Sequence, residues 1–233
     1  MNPRIPADLA SGALALWLAA AYVAFIALRG LPSNDRPGRL GPDRVLASRI
    51  AFFLAFYLVP GIAYRLLGLR LPGIETHGLG NPDEWALPLV GIVVAAFGVG
   101  FLARKSPADL ANYPQYVPRP DFPRPAALAN ELGSWALYLW AYEFAFRGML
   151  LSMLLSAGPA TAVAVQTGLY AFAHLPKNSK EAAAALLFGV AASLMTLGWG
   201  SVVPAFVAHL ALALGNDLSC ALKNPRLSGD AKT

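Results

Sequence analysis

The chain has one cysteine, three histidines and only 13% charged residues among its 233 positions. The single Cys220 excludes an internal disulfide and any metal site built from several cysteines, and reads as a small apolar residue of the last helix. Charge this sparse, against roughly 25% in soluble domains, accompanies 57% hydrophobic residues and a mean hydropathy of +0.52. This is the composition of a polytopic membrane protein, all-α in fold class, whose first partner is the lipid bilayer. There is no internal repeat, no low-complexity segment and no polar block large enough for a separate soluble domain. The net charge of +5 does not indicate nucleic acid. The basic residues sit in short connectors between apolar runs, the pattern of topology signals rather than of a phosphate-binding face.

A spanning helix needs about 20 apolar residues. Seven segments qualify: Leu9 to Leu28, Val45 to Leu67, Trp85 to Ala103, Ala126 to Leu155, Thr161 to Leu175, Ala182 to Gly198 and Val202 to Ala221. The first is too long for a signal-peptide core and is closed by Arg29, so an uncleaved anchor is expected. The Pro- and Gly-rich stretches Leu31 to Asp43, Leu71 to Asp83 and Pro107 to Pro125 read as loops. With seven spans, the N-terminal side carries Arg4, Arg65 and Arg70. The other side carries thirteen basic residues: Arg29, Arg36, Arg39, Arg44, Arg104, Lys105, Arg119, Arg124, Lys177, Lys180, Lys223, Arg226 and Lys232. Three against thirteen predicts an outside N-terminus and a cytoplasmic C-terminus.

Within the fourth segment stands Tyr142-Glu143-Phe144-Ala145-Phe146-Arg147-Gly148. An acid and a base four residues apart share one helix face. Each charge costs at least ~2.5 kcal/mol at bilayer depth, so such residues usually line a polar interior. The spacing alone leaves two readings open: a water-activating or metal-ligating carboxylate, or a structural ion pair. Asn130 and Glu131 place the first turns of this helix in the interface, where Trp135, Tyr138 and Trp140 suit an aromatic belt. His174 closes the fifth segment just before Pro176, where the helix C-terminus alone is one account of it. His209 lies mid-way along the last segment. Asn216 returns to nearly the same face seven residues later, with Asp217 one position round. The third histidine, His77, falls in a loop and is read as solvated. Two histidines and a Glu-Arg pair in apolar segments make a polar constellation the simplest account.

Glu143-x-x-x-Arg147-Gly148, then Tyr170-x-x-x-His174, then His209 with polar residues after it, resembles the CPBP family of intramembrane proteases. That family takes in type II CAAX prenyl endopeptidases and bacterial Abi proteins. The resemblance covers about Ala126 to Ala221. It divides the chain into N-terminal helices (1–125), a four-helix core (126–222) and a cytoplasmic tail (223–233). Three positions depart from the family pattern: Tyr142 stands for the first of two adjacent glutamates, Tyr170 for a Phe, and Ala213 for an Asn.

The resemblance implies an endopeptidase in a bacterial inner or plasma membrane, hydrolysing a peptide bond of a membrane-associated peptide or protein. Glu143 would activate a water, with His174 and His209 orienting it or bonding the oxyanion. Arg147 would hold Glu143, and Asn216 or Asp217 would fix the His209 tautomer. The family has also been read as metalloproteases, with Glu143, His174 and His209 as a possible zinc set. The departures at Tyr142 and Ala213 support an alternative, a catalytically inactive member serving in immunity or as a scaffold. A proton-coupled carrier is a third reading, for which the sequence shows no repeated halves.

Overall fold

A computed structural model describes residues 7–30, 42–72, 82–113, 124–175 and 179–223. All regular structure among them is helical, with no strand. In chain order the α-helices are α1 (Ala7–Gly30), α2 (Pro42–Phe53), α3 (Val59–Leu66), α4 (Pro82–Leu102), α5 (Pro107–Asn112), α6 (Arg124–Glu143), α7 (Leu151–Leu154), α8 (Pro159–Phe172), α9 (Ser179–Trp199) and α10 (Val203–Lys223). Two of the connections are π-helical: Leu54–Leu58 joins α2 to α3, and Phe144–Leu150 joins α6 to α7.

Four helices are long and apolar enough to cross a membrane: Val45–Leu66, Glu84–Leu102, Ser179–Trp199 and Val203–Lys223. They coincide with the second, third, sixth and seventh expected spans, and the chain is an all-helical membrane protein. The count of seven is not reproduced by length and composition. α1 runs over 24 residues, Ala7–Gly30. The 14 residues of α8 rise only ~21 Å at 1.5 Å each. The helix formed by α6 and α7 buries Glu143 and Arg147, where a polar interior tolerates them.

All three loop assignments need correction. Pro107–Asn112 is a short helix, because Ser106 accepts a bond from the Asp109 N–H at 3.2 Å while the Asp109 carboxylate accepts from the Ser106 N–H at 2.7 Å. This reciprocal capping box satisfies two donors that a helix start otherwise leaves open. Pro42 and Asp43, and likewise Pro82 and Asp83, already belong to helices. Residues 31–41, 73–81 and 114–123 of the proline-rich connectors, with His77 among them, and the tail from 224 lie outside the described residues.

The chain packs as two units. The first comprises Met1–Leu31, Phe52–Gly80 and Trp140–Ala205, the second Pro32–Ala51, Asn81–Leu139 and Phe206–Thr233. In the first, α8 and α9 pack along each other. Gly158, with φ +97°, makes the turn into α8, and Pro159 supplies the fixed φ of a first helical turn. In the second, α4 and α10 approach at two glycines. A Cβ on Gly100 would overlap the Leu212 carbonyl, and one on Gly215 the Phe97 carbonyl. Small residues at a helix crossing let backbones this close, the usual means of packing in lipid.

Candidate active site

The first unit gathers Tyr142, Glu143, Arg147, Tyr170 and His174. Glu143 and Arg147 are both fully buried, with Arg147 Nη1 3.2 Å from Oε1 and 3.1 Å from Oε2 of Glu143. The four-residue spacing survives because Glu143 ends α6 and Arg147 lies in the π-helical turn that follows. Wider turns of this kind recur at functional sites. The guanidinium also lies over the Tyr170 ring, 4.0 Å from its centroid, and 5.7 Å from that of Phe188. A desolvated cation on an aromatic face contributes about 2 kcal/mol, partly offsetting the cost of burying it.

Tyr142 is 2% exposed and packed as an aromatic. Its ring stacks on Phe52 at 5.4 Å and on Phe146 at 4.8 Å, and meets Phe25, Tyr170 and His174 edge-on. The position at which the family pattern has its first glutamate is thus a fixed element of the apolar core.

His174 lies just past α8, in a turn closed by the His174 N–H to the Ala171 carbonyl at 2.9 Å and the Leu175 N–H to the Phe172 carbonyl at 3.1 Å. Its Nδ1 stands 2.9 Å from the Tyr170 carbonyl. A carbonyl only accepts, so Nδ1 carries the hydrogen, and in the neutral ring Nε2 is then the acceptor. The ring sits 4.8 Å from that of Tyr170. The Tyr22 hydroxyl donates to the Leu169 carbonyl at 2.7 Å, pinning α1 to the last turns of α8.

His209, Asn216 and Asp217 belong to the second unit, on α10. His209 is 9% exposed. Asn216 Oδ1 accepts from Lys105 Nζ at 2.7 Å, and Asp217 Oδ2 accepts from the Trp135 indole at 2.8 Å. Trp135 is buried with Tyr138, which corrects their assignment to an interfacial belt. The Arg49 guanidinium covers the Trp135 ring at 4.0 Å, and Nη1 reaches Glu131 at 3.1 Å and Ser134 at 2.7 Å. Arg49, only 2% exposed, was legible by the criterion that singled out Glu143, a charge inside an apolar run. Cys220 is buried, as its apolar reading requires.

Gln166, a second overlooked residue, is a lone amide in the apolar run of α8. It is fully buried, and its Oε1 lies 2.6 Å from Ser193 Oγ on α9.

No curated protein and no solved structure matches the chain. Residues 127–214 match the family model described as type II CAAX prenyl endopeptidase Rce1-like. That stretch, which holds Glu143, Arg147, Tyr170, His174 and His209, is similar to the CPBP/CAAX family of intramembrane proteases.

Proposed function

We infer that the chain is an intramembrane endopeptidase cutting a membrane-associated peptide or protein, and that its C-terminus is cytoplasmic. The observation that carries this reading is the fully buried Glu143–Arg147 pair under Tyr170, one helical turn from a histidine whose lone pair is on Nε2. In this reading Glu143 takes the proton of a water as it attacks the scissile carbonyl. His174 orients that water and bonds the developing oxyanion, the role the family resemblance also gives His209. Arg147 holds the carboxylate, and the Asn216–Asp217 segment supports His209 through its bonds to Lys105 and Trp135.

Zinc is a second way to activate the water. The donors suit it at His174 Nε2 but not at Glu143, whose carboxylate is already matched by a guanidinium. Among the described residues no three of His, Cys, Asp and Glu are grouped to hold a metal. In this reading the water is activated by the chain's own side chains, and cleavage is expected to survive dialysis against a zinc chelator.

The test is Glu143→Gln in purified protein against an internally quenched prenylated peptide ending in a CAAX tetrapeptide. Loss of cleavage with an unchanged gel-filtration profile supports the mechanism, and full activity overturns it. The stacked Tyr142 favours a second reading, a non-catalytic scaffold or immunity protein. That reading requires the wild type to leave membrane peptides intact and Glu143→Gln to keep the cellular phenotype.

A further inference from the structure

We propose that Gln166 is a substrate contact, binding the peptide backbone with the end of its amide that the protein leaves open; this rests on the endopeptidase reading. Gln166 precedes Tyr170 by four residues on α8, so the two share a helix face, and His174 follows in the turn just past the helix with its Nδ1 on the Tyr170 carbonyl. One end of its amide is fixed by Ser193, and the other, Nε2, is buried without a partner among the described residues.

Ser193 has one hydroxyl hydrogen and two acceptors in range, Gln166 Oε1 at 2.6 Å and the Gly189 carbonyl at 2.8 Å. If that hydrogen goes to Gly189, the amide turned over donates to Ser193 Oγ and opens its oxygen instead. Either orientation leaves one polar end unused, and a peptide group, with both N–H and C=O, pairs with whichever it is. Arg147 adds two more buried atoms without partners, Nε and Nη2, on the guanidinium that lies over Tyr170. Buried polar atoms are nearly always bonded, and those left open lower stability. Two lie on the guanidinium over Tyr170 and the third on Gln166, one turn before Tyr170 on α8, and together they indicate an acceptor-bearing ligand rather than a finished core.

The simplest rival is that Gln166 merely ties α8 to α9, as polar side chains do between membrane helices. Gln166→Met separates the two, because methionine matches the shape and Ser193 keeps the Gly189 carbonyl. If the amide serves the substrate, Tm in detergent rises, by on the order of 2–4 °C, since an unsatisfied group is gone. For the CAAX peptide, KM rises about tenfold with kcat held, the loss of one hydrogen bond made equally to substrate and transition state. A lower Tm overturns the proposal in favour of a structural tie, and so does an unchanged KM. The same peptide is also followed by thermal shift, which needs no turnover. If the wild type binds it without cutting it, the endopeptidase reading fails. The proposal is then decided by whether Gln166→Met needs about tenfold more peptide for the same shift. If the wild type neither binds nor cuts the peptide, both fail.

Discussion

Replacing Arg147 by methionine removes the guanidinium from a Glu143 carboxylate that has no exposure to water. Removing one partner of a buried pair costs about 3–5 kcal/mol, so Arg147→Met is expected to unfold well below the wild type in a detergent melt. Glu143→Gln with Arg147→Met removes both charges and should recover much of that loss, a non-additivity that a double-mutant cycle measures directly. Restoring the family carboxylate by Tyr142→Glu should not raise activity. It strips a ring from the stack with Phe52 and Phe146 and buries a second acid beside a single arginine. The expected outcome is a lower Tm by the cost of a lost core aromatic, about 3–5 kcal/mol.

At the scale of elements, the close approach of α4 and α10 depends on two hydrogen atoms in place of side chains. Gly100→Ala and Gly215→Ala each drive a Cβ into a facing carbonyl. Overpacking of this kind costs typically 1–3 kcal/mol, which the midpoint of thermal unfolding reports. Gly148 has the same role in the first unit, where an added Cβ would lie 2.8 Å from the Pro72 carbonyl. The π-helical turns have another consequence. Each carries one residue more than an α-turn needs, and Tyr57 in one packs on Phe144 in the other at 5.0 Å. Loss of one residue between Phe144 and Leu150 should therefore keep the helix continuous but rotate all that follows out of register with Glu143. Folded but inactive protein is the expected result, by circular dichroism and peptide cleavage.

For the molecule as a whole, the sequence was most informative where residues interact locally. Glu143 and Arg147 are four apart, so their pairing followed from helix geometry. The length and hydropathy of the runs gave the four long apolar helices. The neighbours of Tyr142 came from Phe25, Phe52 and Tyr170, far apart in sequence, and no spacing rule reaches them. Arg49 and Gln166 were missed because each stands alone in its run, with a partner on another helix. The capping box was readable from Ser106 and Asp109 but was hidden by the prolines around it.

The four long helices have 19, 21, 21 and 22 residues, so their apolar lengths fall between ~28 and ~33 Å at 1.5 Å per residue. Helices this uniform suit a single bilayer thickness and have little slack for another. In thicker membranes they meet a hydrophobic mismatch that tilting cannot relieve, since tilt only shortens the span, and the bilayer must thin around them. The acyl-chain length of the reconstitution lipid thus becomes a variable that acts on every helix at once.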